Sequence, residues 1–176
     1  TALLLLPGIA QADELPMKAE ASITLTSPSA ILCEASTGQV IFEKNADERR
    51  PVASVNKVMT ILLTLEAVDE GRVSLEDQVT VSPRAASMGG SQAFLDAGER
   101  YKLSELLKTV IVASANDSAV ALAEHLAGTE ESFVRLMNTR AEELGLTNTH
   151  YANCTGLPAQ EHYTTARDVA KLSAQL

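Results

Sequence analysis

Ser54-Val55-Asn56-Lys57 opens an apolar run, Val58-Met59-Thr60-Ile61-Leu62-Leu63-Thr64-Leu65, and sets a hydroxyl and an amine one turn apart where a helix is predicted to begin. At about 100° per residue, Ile61, Leu65 and Val68 fall within roughly 60° of one another on the helical wheel, with Val58 and Leu62 widening the arc. Ser54 and Lys57 project into that arc. A lysine on the buried side of a helix loses hydration, and its pKa falls toward the range where the neutral amine can accept a proton. Its nearest hydroxyl is Ser54. The start of the helix adds positive potential and free N–H groups beside that serine, which favours an oxyanion on whatever it attacks. The pattern describes an activated nucleophile. The alternative is that Ser54 caps the helix while Lys57 carries its ammonium out to water. Ser-x-x-Lys alone does not decide, since it arises by chance roughly once in 200 to 300 residues.

The 176 residues are 45% hydrophobic, enough to bury one core. A formal net charge of -9 leaves no basic stripe for nucleic acid and no cationic patch for anionic lipid. Aromatic residues make up only 3%, and tryptophan is absent, so stacking platforms for bases or sugars are not expected. Leu3 to Leu6 and the Ala10-Gln11-Ala12 tripeptide resemble the end of a secretory signal peptide, so residues 1–12 are read as part of one and 13–28 as a spacer. Without an initiator Met or basic segment before it, the sequence reads as cut at its N-terminus. Export would permit a disulfide, but Cys33 and Cys154 are expected as free thiols. His125, His150 and His162 are scattered without metal-ligand spacing, and no metal site is implied.

Two short apolar runs, Ala30 to Glu34 and Gln39 to Glu43, flank Ser36-Thr37-Gly38 and predict an antiparallel hairpin. The Ser54 helix should stop near Gly71. A short strand is expected at Val79-Thr80-Val81, then a long loop from Pro83 to Gly98 that includes Gly89-Gly90-Ser91. Ser104 is read as the cap of a second buried helix carrying Leu106, Leu107, Val110 and Ile111. That helix runs into Ser114-Ala115-Asn116-Asp117, whose short polar side chains should interrupt it. Further helices are expected from near Ser118 to Gly128, and from Thr129 to Gly145 with Phe133, Leu136, Met137, Ala141 and Leu144 inside. Residues 147–156 read as a short extended or looped piece. Thr165-x-x-Asp168 opens a last helix as a capping box.

Ser114-x-Asn116 lies between two apolar helices, where polar groups are costly unless they face a cleft. Ser-x-Asn alone carries little, and its second occurrence at Ser54-Val55-Asn56 reads as accidental. Order and spacing carry more. Ser-x-x-Lys followed by Ser-x-Asn is the first part of the signature of penicillin-binding proteins and class A β-lactamases. The chain resembles the low-molecular-mass penicillin-binding proteins of the D-alanyl-D-alanine carboxypeptidase family, serine peptidase family S11. Matching stretches are residues 30–47, 51–66, 90–99, 114–128, 142–150 and 163–168, so the resemblance covers nearly everything after Ser29.

The resemblance implies an α/β fold of the α+β type, β-lactamase/transpeptidase-like, over residues 29–176, with an antiparallel sheet beside a helical cluster. It implies Ser54 as the acylated nucleophile and Lys57 as its base. Ser114 is the expected proton relay to the leaving group, and Asn116 the amide that holds substrate and Lys57. Gly90 and Ser91 are expected on a loop beside the site. No cofactor or metal is implied. The implied partners are a peptidoglycan stem peptide ending in D-Ala-D-Ala and β-lactam antibiotics. The implied location is exported, in the periplasm or at the outer face of a bacterial membrane or wall. A membrane association is expected only through a C-terminal anchor that this sequence does not contain.

The family also uses a Lys-Thr-Gly strand to bind the substrate carboxylate, and none occurs here. It is expected beyond Leu176, so the 176 residues alone are expected to be inactive and the hairpin to lack sheet neighbours. The rival readings are a class A β-lactamase, whose Glu-x-x-Leu-Asn stretch is missing, and a non-catalytic penicillin-binding sensor. A Ser-His-Asp hydrolase lacks its Gly-x-Ser-x-Gly elbow.

Overall fold

The computed structural model describes residues 24–176. The signal-peptide reading of residues 1–12, and most of the spacer, lie outside them. β1 (Ala30–Cys33) and β2 (Val40–Lys44) form the expected antiparallel hairpin, Ala30 opposite Lys44 and Leu32 opposite Phe42, with an irregularity between Leu32 and Cys33. Its turn is built on Glu34, whose carboxylate accepts from the Thr37 hydroxyl, the Thr37 N–H and the Ser36 hydroxyl. Those bonds, the Thr37 hydroxyl foremost, hold its pKa down to about 2.

A single 3₁₀ turn, Ala53–Asn56, leads into α1 (Lys57–Asp69). This helix is packed on several sides: α3 (Leu103–Ala113), α4 (Asn116–Ala127), α5 (Glu130–Glu143) and α6 (Ala166–Ser173) all contact it. A helix enclosed on several sides has no single apolar stripe. Its most buried positions are Met59, Thr60, Leu62, Thr64 and Ala67, whereas Val58, Ile61, Leu65 and Val68 are only partly buried. The arc read from the wheel is therefore displaced, because two of the innermost residues are threonines. Each buried hydroxyl finds a carbonyl, Thr60 Oγ1 donating to Cys154 O at 2.9 Å and Thr64 Oγ1 to Thr60 O at 2.8 Å. Leu103, Leu106, Val110, Val120, Leu122, Phe133 and Met137 close the core around α1.

β3 (Gln78–Thr80) pairs antiparallel with β4 (Arg100–Lys102). The sequence reading missed β4, which is three residues long with only Tyr101 turned inward. The expected loop from Pro83 contains α2 (Pro83–Ala86), with Ser82 Oγ accepting from Ala85 N at 2.9 Å. The cap of α3 is Lys102 rather than Ser104, and the Glu105 carboxylate reaches back to the Lys102 N–H at 3.2 Å. The break before α4 is shorter than expected, because Asn116 already belongs to the helix. Thr129 caps α5 as expected, but Leu136 is 43% exposed and outside the core. Thr165 caps α6 through Asp168 N. The Asp168 carboxylate instead takes the Asn148 N–H and the Thr149 hydroxyl, so only half of the capping box forms. Cys33 and Cys154 are both free thiols, Cys33 half-buried and Cys154 fully buried.

Candidate active site

The Ser54 turn opens with Ala53 in the left-handed region at φ +47°. A non-glycine residue pays steric strain there. Ser54 and Val55 are exposed while Asn56 and Lys57 are buried, so the turn sends a hydroxyl outward and an amine inward. Lys57 is 2% exposed, and its Nζ donates to Thr155 O at 2.8 Å and to Ser54 Oγ at 3.4 Å. Burial lowers the Lys57 pKa from its ordinary value. The Cys154 thiol lies nearby, but burial and the adjacent Glu130 push its own pKa well up. It therefore stays protonated and offers no negative charge to offset the desolvation of the amine. Ser54 does not act as a cap, and Lys57 does not reach water.

The inner wall of the site is the 153–156 loop. Three successive carbonyls in it are captured by side chains from the nucleophile turn and α1: Asn153 O by Asn56 Nδ2 at 3.2 Å, Cys154 O by Thr60 Oγ1, and Thr155 O by Lys57 Nζ. Asn153 Oδ1 tightens the loop from inside, accepting from Thr155 N, Thr155 Oγ1 and Gly156 N. Gly156, at φ +87°, passes so close to the Ser54 turn that a Cβ there would lie 1.8 Å from Ala53 O. None of Asn56, Thr155 and Gly156 was singled out from sequence. Asn56 had been set aside as half of an accidental Ser-x-Asn.

The second motif forms the other side. Ser114 ends α3 in the left-handed conformation usually given to glycine, at φ 55°, with Ala115 N reaching back to Thr109 O at 3.3 Å. Its Oγ is buried with no hydrogen-bond partner among the described residues. A buried hydroxyl is costly to leave unpaired, so this one calls for a partner beyond the described side chains. Asn116, by contrast, is engaged through both of its nitrogens. Its N–H donates to Ser91 O at 2.7 Å and its Nδ2 to Gly89 O at 2.7 Å, while the next residue, Asp117, takes the N–H groups of Ala93 and Leu95. Together they pin the 89–95 loop to the start of α4.

The two sides meet at Gly90, where a Cβ would stand 2.8 Å from Asn116 Nδ2 and 3.9 Å from Leu157 Cδ2. Gly90 thus serves as close-packed backbone, and Ser91 contributes its carbonyl. Among the described residues no hydrogen bond joins Asn116 to Lys57. A groove of about 530 Å³ between the hairpin and α6, lined in part by Ile31, Cys33, Val40 and Arg167, lies apart and contains none of these residues.

The arrangement can lower the cost of removing a proton from an exposed hydroxyl, because a desolvated amine stands beside it. Its likeness to known proteins is specific. The family model described as D-alanyl-D-alanine carboxypeptidase matches residues 16–176. The chain is 49% identical over 148 residues to D-alanyl-D-alanine carboxypeptidase DacF of Bacillus subtilis (strain 168), covering 84% of this chain and 38% of that protein. It is 39% identical to D-alanyl-D-alanine carboxypeptidase DacC of Escherichia coli (strain K12), covering 92% and 43%. The crystal structure of D-alanyl-D-alanine carboxypeptidase DacD from Francisella tularensis superposes with a TM-score of 0.86 at 40% identity, covering 88% of this chain and 37% of that one. The chain thus spans about two fifths of the length of these relatives. The fold is that of the penicillin-binding proteins, α+β and β-lactamase-like, and the chain belongs to the D-alanyl-D-alanine carboxypeptidase family, serine peptidase family S11.

Proposed function

We propose that the protein is a serine-type D-Ala-D-Ala carboxypeptidase that trims the terminal D-alanine from peptidoglycan stem peptides. The observation that carries this reading is the pair formed by exposed Ser54 and the buried Lys57 amine, 3.4 Å apart. Lys57 takes the hydroxyl proton as Ser54 Oγ bonds to the carbonyl carbon of the penultimate D-Ala. The resulting oxyanion is met by N–H groups of the first turn, of which the Ser54 N–H is one. The C–N bond then breaks, and the departing D-alanine amine takes a proton through Ser114, whose buried hydroxyl has no other partner among the described residues. Water attacks the acyl-enzyme and restores Ser54.

Asn116 contributes by holding the 89–91 segment that would flank the peptide. β-Lactams fit the same scheme as acylating substrate mimics. A peptidoglycan substrate places the protein outside the cytoplasmic membrane, exported to the periplasm or wall. No described helix is long and apolar enough to cross a membrane.

The test is acylation of the native protein by a fluorescent penicillin, with the adduct located by mass spectrometry, alongside D-alanine release from a diacetyl-Lys-D-Ala-D-Ala peptide. Label on Ser54 with D-alanine release is expected. Label on Ser114, or undiminished label in Ser54→Ala, overturns the assignment.

A further inference from the structure

The acylation chemistry proposed above leaves out a buried polar pair beside it. Asn56 stands between Ser54 and Lys57, is 1% exposed, and has two partners. Its Nδ2 donates to Asn153 O at 3.2 Å, and its Oδ1 lies 2.8 Å from Nε2 of His162, itself 8% exposed. A backbone carbonyl can only accept, so the Asn153 contact fixes which end of the amide faces the loop. The Oδ1 must then face His162, and His162 must carry its proton on Nε2. Its Nδ1 is buried without a partner among the described residues. Tyr151 packs edge-on against the ring, His150 is the titratable neighbour, and among the described residues no carboxylate bonds to the imidazole. The surroundings therefore favour neutral histidine, because a second N–H on Nδ1 would meet no acceptor among the described residues.

We infer that His162 and Asn56 are positioning residues for the acylation step, a two-residue brace that holds the 153–156 loop over Lys57 and so keeps the catalytic amine dry. The brace acts in sequence. His162 orients the Asn56 amide, Asn56 holds Asn153 O, and two residues further along the same loop Thr155 O receives Lys57 Nζ. Burial is the main reason the Lys57 pKa is low. Loosening the loop admits water and restores the lysine toward its ordinary pKa, so that less of it is neutral at a given pH. Acylation then slows at neutral pH and recovers as pH rises. A residue that merely stabilised the fold would lower the amount of active protein and leave the pH profile of the folded molecules in place.

The test rests on the proposed acylation and is arranged so that the two can fail separately. Acylation rates with fluorescent penicillin are measured per folded molecule from pH 6 to pH 10 in the native protein, His162→Leu, His162→Gln, Asn56→Leu and the double Leu variant. Both Leu substitutions are expected to slow acylation about tenfold at neutral pH and move its rising limb up by about one pH unit. The double variant is expected to be no slower than either single one, because both remove one brace. His162→Gln keeps a side-chain N–H for Asn56 Oδ1 and is expected to retain the native profile. Unmoved limbs in the Leu variants overturn this inference while leaving the function intact. Native protein that takes no label overturns both.

The native protein also supplies a test without substitution. Long-range ¹H–¹⁵N correlation of the imidazoles should show His162 neutral with its proton on Nε2 at neutral pH. The Nδ1–H tautomer overturns the brace.

Discussion

The two polar turns that frame the site solve one problem in opposite ways. Each begins with a non-glycine residue forced into the left-handed region, Ala53 at φ +47° and Ser114 at φ +55°, and each delivers one hydroxyl. At the Ser54 turn the hydroxyl is exposed, and Asn56, Lys57 and Thr60 behind it are bonded inward to the 153–156 loop. At the Ser114 turn the hydroxyl is itself the buried, unpaired group, and the neighbouring Asn116 is bonded outward to the 89–91 loop. The first turn shapes the surroundings of an amine; the second buries one hydroxyl, to which the proposed reaction gives the proton-relay role. A turn of the first kind should be sensitive to charge and packing, and in the second the Ser114 hydroxyl to chemistry alone while Asn116 also carries structure.

The largest effect should come from Lys57→Arg. It keeps the positive charge but cannot supply a neutral base near neutral pH, so penicillin acylation should fall about 10²- to 10⁴-fold with the circular dichroism spectrum unchanged. A rate within a few-fold of the native one would remove the base from the first turn, and the contrast with it.

Gly156→Ala tests the packing half. Its Cβ would meet a backbone oxygen that cannot swing aside, in a conformation unfavourable to alanine, and should cost about 2–5 kcal/mol by denaturant unfolding. Gly128 shares the positive φ but has open space around it. Gly128→Ala should therefore cost only about 1–2 kcal/mol, and equal losses at the two sites would mean that the Ala53 contact contributes nothing.

Smaller effects separate the members of the second turn. Ser114→Ala removes a buried oxygen with no partner, so stability should stay within about 0.5 kcal/mol or rise, while turnover per folded molecule drops. Asn116→Ala takes away a 2.7 Å bond to Gly89 O and should lower stability by about 1–2 kcal/mol as well as impair acylation. Loss of stability in Ser114→Ala with normal turnover would make that serine a structural residue.

The smallest effect is a pH dependence. Burial, then His150, holds the His162 pKa below its ordinary 6.5. The unfolded chain therefore binds the proton more readily than the folded one. Stability from this group is undiminished above pH 6.5 and declines as pH falls below it, by at most about 1.4 kcal/mol per unit. Chemical denaturation at pH 5.5 and 7.5 should show a smaller acid loss for His162→Gln than for the native protein.

These contrasts also mark how far the sequence can be read. The hairpin, α1 and its serine and lysine, α5 and the Thr165 cap were legible because each rests on local chemistry: alternation, turn residues, a capping hydroxyl. Ser114 was legible as a break between apolar helices. What could not be read is whatever depends on a distant partner. Thr60 and Thr64 look like a polar face until the Cys154 carbonyl, far along the chain, is placed against one of them. Asn56 looks idle until Asn153 and His162 arrive at its two ends, and Gly156 looks like any turn glycine until Ala53 lies beneath it. β4 was missed because a three-residue strand with polar flanks has no periodicity to detect.

Cys154 takes no part in the proposed chemistry, yet its position makes it a clock. Its sulfur is fully buried on the loop whose carbonyls are held by Asn56, Thr60 and Lys57, so an alkylating reagent can reach it only when that loop lifts. Cys33, half-buried in β1, is more open to the same reagent and serves as an internal reference. Where reclosing outpaces alkylation, the ratio of the two rates gives the equilibrium for local opening beneath the lysine. A ligand that seats against the 153–156 loop would then slow modification of Cys154 and leave that of Cys33 unchanged, reporting occupancy of the site without any turnover.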